Sequence, residues 1–152
     1  MQDNGIHTHT GAVDTTATDT TAVATAPDAA VDGGRVRTAY LATWNATDSG
    51  ELRALLEAHW SPEATYIDPL AEVAGHEGVA ALVGAVQAQF PGFVFTAVGQ
   101  PDAHHRQVRF QWGLGPQGAA PVVVGSDVVV LDAAGRVADV RGFLDVVPEG
   151  AA

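Results

Sequence analysis

The sequence predicts an α+β domain in which three helices precede an antiparallel sheet. Apolar residues recur at helical spacing in three segments before Pro91, whereas the segments from Phe93 onward are rich in β-branched and aromatic residues. Short turns join these later segments, and strands joined in this way run antiparallel. We therefore expect the helices to cover one face of the sheet.

The composition is that of one acidic globular domain. The 152 residues include 18 Asp and Glu against 7 Lys and Arg, all of them Arg, which gives a formal net charge of -11. A surface of this sign repels phosphates, so nucleic acid is not an expected partner. Cysteine is absent, which excludes disulfides, thiolate metal sites and Cys nucleophiles. Neither a membrane-spanning run nor a secretory signal is recognisable, and we expect a cytoplasmic protein.

Residues 1–34 differ in kind from the rest of the chain. They consist mainly of Thr, Ala, Asp and Gly, with no aromatic residue and no Arg. Such a segment cannot bury enough apolar area to offset its ordering entropy, so we predict a disordered acidic tail. His7 and His9 lack a third metal ligand there. The folded domain is predicted at 35–148, with a C-terminal tail at 149–152.

The first two predicted helices follow from spacing and caps. Val36, Tyr40 and Trp44 lie four residues apart, which places an aromatic stripe along one helix face. Asp48, with an acid three residues later, resembles a capping box that begins a second helix. Pro62 stops that helix because its ring clashes with the preceding turn.

The remaining elements are one short strand, a third helix and four longer strands. Residues 64–69 are β-prone, and apolar spacing from Val79 to Phe90 indicates the third helix. Gly and Pro turns separate the later strands, including a tight hairpin that ends in Gly135. These four strands are predicted at 93–98, 107–114, 122–131 and 137–147.

Asp127 interrupts a strand that is otherwise almost entirely apolar. It shares a strand face with Val123, Val129 and Leu131. An unpaired buried carboxylate is costly, so this carboxyl is expected to be protonated, paired or set on a cavity, with a raised pKa. The alternative is an edge strand on which Asp127 meets solvent.

Asp68 follows Tyr66 on the same face of the short predicted strand and precedes Pro69. Proline cannot continue a strand ladder, so Asp68 is placed at the strand end, where a ligand could reach it. An Asp before Pro is also an ordinary turn former. Position alone leaves both interpretations open.

Three motifs carry a family resemblance: Tyr66-Ile-Asp-Pro69, Gly75-His-Glu-Gly-Val79, and Gly125-Ser-Asp-Val-Val-Val-Leu-Asp-Ala-Ala-Gly-Arg-Val137. Together with the element order, they resemble the nuclear transport factor 2-like superfamily, in particular its SnoaL-like domains and ketosteroid isomerases, over about residues 36–147. The resemblance implies a cystatin-like roll, with a curved antiparallel sheet around a conical pocket closed by helices. It also implies a homodimer formed through the outer face of the sheet.

The resemblance to ketosteroid isomerases implies roles for two carboxyl groups. Asp68 matches the base that moves a proton between carbons, and Asp127 matches the neutral acid that donates to an enolate oxygen. Those enzymes also use a tyrosine hydroxyl from the first helix. A gapless count from Asp68 places Trp44 there, with Tyr40 one turn earlier.

Other candidates follow from the polyketide cyclases and epoxide hydrolases of the same superfamily. A late-strand acid of the cyclase type corresponds by location to Asp139 or Asp145, although Asp139 is expected to pair with Arg109 or Arg141. An Asp-Arg-Asp set would require Arg109, Asp127 and Asp139 to converge. The adjacent pair at 104–105 places at most one His in a pocket and fits a strand rim.

The leading hypothesis is a cofactor-free enzyme that transfers a proton next to a carbonyl of a small hydrophobic molecule. Asp68 and Asp127 are its catalytic residues; no metal or nucleotide motif is present. The predicted substrate-binding wall is aromatic and comprises Tyr40, Trp44, Tyr66, Phe110 and Trp112. The alternative is a noncatalytic ligand-binding or dimerisation domain whose pocket is filled by Trp44. A cavity of a few hundred Å³ that reaches Asp68 would favour the enzyme.

Overall fold

The computed structural model describes residues 31–149 as three helices and six strands. The helices are α1 (Gly33–Asn45), α2 (Ser49–His59) and α3 (Gly75–Gln89). The strands are β1 (Trp60–Ile67), β2 (Glu72–Ala74), β3 (Phe93–His104), β4 (Gln107–Pro116), β5 (Val123–Leu131) and β6 (Val137–Val146). The predicted α+β class, with three helices packed on the sheet, is confirmed.

The six strands form one mixed sheet in the order β2-β1-β6-β5-β4-β3. The predicted meander of four antiparallel strands is present as β3 to β6. The sheet is larger than the meander, because β1 joins it in parallel beside β6 and β2 folds back on β1. This parallel pairing places the end of β1 next to the middle of β6.

The first helix begins two residues before the predicted domain start at Arg35. The Asp32 carboxylate accepts a hydrogen bond from the Arg35 amide at 3.1 Å, which caps the helix. Gly33 is buried, and a Cβ there would lie 3.1 Å from that of Ala103. The domain therefore includes residues assigned above to the tail, whereas 1–30 and 150–152 lie outside the described residues.

Caps and breakers set the other helix ends. Asp48 accepts from the Glu51 amide at 2.9 Å and begins α2, as predicted, and α2 ends three residues before Pro62. Helix α3 starts at Gly75, four residues before the predicted apolar pattern, with Gly75 at φ 74°. None of the helices in residues 31–149 is long and apolar enough to cross a membrane.

The core lies between the helices and the inner face of the sheet. Val108, Phe110 and Trp112 of β4 are buried on this face, as their alternation predicted. Alternate residues of β5 are buried as well, and Asp127 is among them. Because β5 is a central strand, the alternative of a solvent-facing edge carboxylate is wrong.

Candidate functional site

A cavity of about 540 Å³ opens between α1, the C-terminal part of α3 and the curved inner face of the sheet. Its wall contains Asp68 and Asp127 together with aromatic and aliphatic side chains. The complete lining is Tyr40, Trp44, Tyr66, Asp68, Leu70, Val86, Gln89, Phe90, Phe95, Trp112, Leu114, Val123, Asp127, Leu144 and Val147. Trp44 forms part of the wall and does not fill the space.

Six of the seven predicted site residues lie on this cavity, and Phe110 does not. Phe110 is buried behind Tyr40, with the two ring centroids 5.1 Å apart in an edge contact. Strand alternation placed Phe110 on the correct face, but α1 covers that part of the strand. Its assignment as a substrate-binding residue is therefore corrected to support of Tyr40.

Asp68 and Asp127 reach the cavity from opposite sides of one glycine in β6. Gly142 lies opposite Asp127 in the antiparallel ladder, and the preceding Arg141 pairs in parallel with Ile67 of β1. A Cβ built on Gly142 would stand 2.8 Å from Asp127 Oδ1 and 3.2 Å from the Asp68 Cβ. A glycine at this position lets the two carboxyl-bearing residues approach each other.

Asp127 is buried, with 2% of its surface exposed, and forms a hydrogen bond with Tyr40. The Tyr40 hydroxyl donates to Asp127 Oδ2 at 2.5 Å, while Oδ1 makes no hydrogen bond within the described residues. Burial raises the pKa of Asp127 to about 6, although the Tyr40 hydrogen bond acts in the opposite direction. Burial also raises the pKa of Tyr40 well above its usual range, so its hydroxyl remains protonated.

Asp68 is held in one orientation by three hydrogen bonds. Its Oδ1 accepts from the amides of Leu70 and Ala71, both at 2.8 Å, which closes the turn after β1. Its Oδ2 accepts from the Tyr66 hydroxyl at 2.8 Å. Asp68 therefore closes the turn through one oxygen and also lines the cavity.

The tyrosine hydroxyl beside Asp127 comes from Tyr40. The gapless count placed Trp44 in that position, but Tyr40, one turn earlier on α1, makes the contact. Trp44 instead packs against Tyr66 and Phe95, and its indole N–H makes no hydrogen bond to any described residue. Sequence spacing could not choose between two residues on the same helix face.

The other proposed acids and bases lie away from the cavity. Arg141 pairs with Asp139 at 2.9 Å, one of the two expected pairings, whereas Arg109 pairs with Asp102 at 3.1 Å. The Asp-Arg-Asp arrangement is therefore wrong, because Arg109 does not meet Asp139 or Asp127.

The remaining candidates also lie outside the cavity lining. The Asp145 carboxylate accepts from the Ser126 hydroxyl at an exposed position. The 104–105 pair occupies the end of β3 and the turn that follows it. Within residues 31–149, no cluster of three His, Asp or Glu side chains is arranged to hold a metal ion.

Sequence reasoning missed the apolar part of the wall that α3, β3 and the segment after β6 contribute. Val86 and Phe90 are on the predicted helix stripe, and Phe95 belongs to a predicted strand, but nothing in their spacing distinguishes a cavity wall from core. Leu70 comes from the turn held by Asp68. These residues are brought to one place only by the way the sheet curls under α3.

The chain is similar to a known protein family and to solved structures. The family model of the SnoaL-like domain matches residues 37–140. A candidate isomerase of the SnoaL-like family from Agrobacterium tumefaciens is 38% identical and superposes with a TM-score of 0.71, over 74% of this chain and 97% of its own. A search of the curated proteins finds no match.

More distant structures share the fold. A candidate SnoaL-like polyketide cyclase from Jannaschia is 19% identical, with a TM-score of 0.60 over 76% of this chain and 87% of its own. A protein with a ketosteroid isomerase-like fold from Catenulispora acidiphila, crystallised with trimethylamine, is 17% identical, with a TM-score of 0.56 over 74% of this chain and 85% of its own. With the family model covering most of the domain, the chain belongs to the SnoaL-like domain family.

Proposed function

We propose that the protein is a cofactor-free enzyme that moves a proton on carbon next to a carbonyl group, with Asp68 as the base. The observation that supports this most is the placement of Asp68 and Asp127 on either side of Gly142, both on the wall of one largely apolar cavity. Two carboxyl groups in unlike environments are the usual arrangement for dividing the roles of base and acid.

Asp68 has the properties required of the base. It is partly exposed, and its orientation is fixed by the backbone of its own turn. Its Oδ2 is the oxygen that contacts Tyr66, a second residue of the wall. A substrate C–H held in the cavity would give its proton to this oxygen and leave an enolate.

Asp127, which accepts a hydrogen bond from Tyr40, has the properties required to stabilise that enolate. Donors preorganised in a dry site act where negative charge develops. With a pKa of about 6, Asp127 carries a proton in roughly a tenth of free molecules at pH 7. A developing enolate beside it raises that fraction, because like charges disfavour two anions in one apolar site.

The experiment measures exchange of α-hydrogens for deuterium in a panel of cyclic ketones and enones, followed by proton NMR. Asp68→Asn should abolish exchange but preserve the fold, since an amide oxygen still accepts the two turn hydrogen bonds. Asp102→Asn, at an exposed ion pair, is the matched control and should exchange like the unmodified protein. Equal exchange by Asp68→Asn and the unmodified protein would remove Asp68 from the mechanism.

Substitution of Asp127 tests the second role in the same assay. Asp127→Ala should lose about 2–4 kcal/mol of transition-state stabilisation, the scale for one oxyanion donor. Asp127→Asn retains a donor and should lose much less. Equal losses for the two variants would contradict a hydrogen-bonding role.

A second candidate function is ligand binding without chemistry. The observation in its favour is that Asp68 Oδ1 is consumed by the turn, as a purely structural residue would be. In that case ligands would bind, but α-hydrogen exchange would proceed only at the rate seen in buffer, for the unmodified protein and for every variant.

We further propose a homodimer through the outer face of the sheet, as the family resemblance implies.

A further inference from the structure

Four aromatic rings of the cavity wall form a continuous bent surface. Tyr66 contacts Trp44, Trp44 contacts Phe95, and Phe95 contacts Trp112, with centroid distances of 5.4, 5.6 and 5.3 Å. The angles between successive ring planes are 49°, 51° and 66°. All four residues line the cavity, and their rings are inclined to one another rather than stacked.

Hydrogen bonds outside the rings hold this surface in place. The Asn45 side chain pairs with both backbone groups of Phe95, at 2.8 and 2.9 Å, and fixes the end of α1 to β3. The Gln87 amide donates to the Trp44 carbonyl at 2.9 Å, which ties α3 to the same point. The backbone at two of the four ring-bearing residues, Trp44 and Phe95, is therefore held by side chains outside the ring surface.

The charge of the cavity has one sign. Asp68 and Asp127 are its ionisable acids, and neither Arg nor His is among the residues that line it in the described part of the chain. The chain contains no Lys, and its formal net charge is -11. An anionic ligand would be repelled in this space, and a cation would be attracted.

We propose that the cavity binds a small molecule that carries an ammonium group, seated against the bent surface of Tyr66, Trp44, Phe95 and Trp112. The face of an aromatic ring is electronegative, and several inclined faces around a cation are the usual recognition of quaternary ammonium ligands. Asp68, which is partly exposed and lines the same cavity, supplies the formal counter-charge. This proposal rests on the cavity of the proposed function and defines its ligand class.

The test compares two ligands of the same shape. Choline and 3,3-dimethylbutan-1-ol differ in having N⁺ or carbon at the branch point, so affinity differences report the charge. Calorimetric titration of the full chain should show choline binding at least about tenfold more tightly than the alcohol. Equal affinities, tighter binding of the alcohol, or no binding of choline at millimolar concentration would overturn the proposal.

Two variants separate the rings from general apolar packing. Phe95→Leu keeps an apolar side chain but removes one aromatic face, and should weaken choline several-fold while leaving the alcohol within about twofold. Phe143→Leu, at an exposed position outside the cavity lining, is the control and should change neither affinity. A parallel loss of both ligands in Phe95→Leu would show that the ring acts only by packing.

The outcome is independent of the proposed proton transfer. Choline has no carbonyl, so its binding requires no chemistry, and α-hydrogen exchange in neutral ketones requires no ammonium group. Choline binding without exchange would support a cation-binding domain. Exchange without choline binding would retain the enzyme and remove the ammonium ligand.

Discussion

At the scale of single residues, burial of the Asp127 carboxyl on the cavity wall costs folding free energy when that carboxyl is ionised. Its carboxyl belongs to a central strand, contacts Tyr40, and has its pKa raised by burial to about 6 from the ordinary 3.8. The folded protein therefore holds this proton more tightly than the unfolded chain does. The stability contributed by the protonated form is lost as the pH rises from the ordinary pKa of 3.8 through the raised pKa of about 6.

Asp127→Asn should remove this pH dependence. The free energy of unfolding of Asp127→Asn minus that of the unmodified protein should increase by up to about 3 kcal/mol from pH 4 to pH 7. A shift of two pKa units corresponds to that energy. Urea unfolding at both pH values measures the difference. The exposed Asp102→Asn variant should show no comparable change, and unfolding curves of Asp127→Asn that parallel the unmodified protein would contradict a raised pKa.

Gly142→Ala should disturb the site directly. Its new methyl group would stand 2.8 Å from Asp127 Oδ1, so the carboxyl or the strand must shift. Overpacking of this kind costs about 1–3 kcal/mol of unfolding free energy. Gly84→Ala on α3 is the matched control, because nothing lies within 4 Å of the Cβ that this substitution adds. It should raise the free energy of unfolding by up to about 1 kcal/mol. Equal effects of the two substitutions would show that Gly142 is not crowded.

At the scale of elements, a side-chain cap begins α2 where the sequence predicted it. Asp48→Ala removes the acceptor of the Glu51 amide and should cost about 1 kcal/mol. Asp48→Ser restores an acceptor and should recover most of that loss. Denaturant unfolding measures both variants, and an unchanged midpoint for Asp48→Ala would mean that solvent satisfies the amide equally well.

The parallel pairing of β1 with β6 is the element contact that builds the site. It aligns Ile67 with Arg141, so the turn after β1 meets the strand that pairs with β5. Local sequence predicts a strand at β1 but contains no signal for its partner. Strand β2 has only three residues and was missed for the same reason, since its pairing with β1 defines it.

At the scale of the whole molecule, the outer face of the sheet retains apolar surface. Phe143 is 61% exposed, and Val124 and Val128 beside it are only partly covered. Exposed apolar patches on a sheet commonly mark an interface with another chain. We expect a dimer in sedimentation at micromolar concentration, and Phe143→Asp should dissociate it. A monomeric unmodified protein would contradict this interface.

Truncation tests where the domain begins. The composition of residues 1–30 predicts that their deletion leaves the melting temperature within a few degrees. Deletion of 1–34 should lower it further, because the Asp32 cap and the buried Gly33 are also removed. Thermal unfolding followed by circular dichroism compares the two proteins, and equal melting temperatures would mean that the cap contributes nothing.

The sequence by itself determined the features that depend on neighbouring residues. Helix stripes, the Asp48 cap, the meander of four strands and the strand face that Asp127 shares with its apolar neighbours all follow from spacing and local chemistry. The family motifs also predicted that Asp68 and Asp127 share a site, and both line one cavity. These inferences succeed because periods of 3.6 and 2 fix which side chains share a face.

The tertiary structure alone decided which of those side chains meet. Tyr40 rather than Trp44 contacts Asp127, Phe110 lies behind Tyr40, and the wall from Tyr66 to Trp112 forms a bent aromatic surface. Each of these outcomes depends on how α1 lies across the sheet and on the parallel entry of β1. Contacts between residues distant in the chain are set by packing of whole elements, and local periodicity does not contain that information.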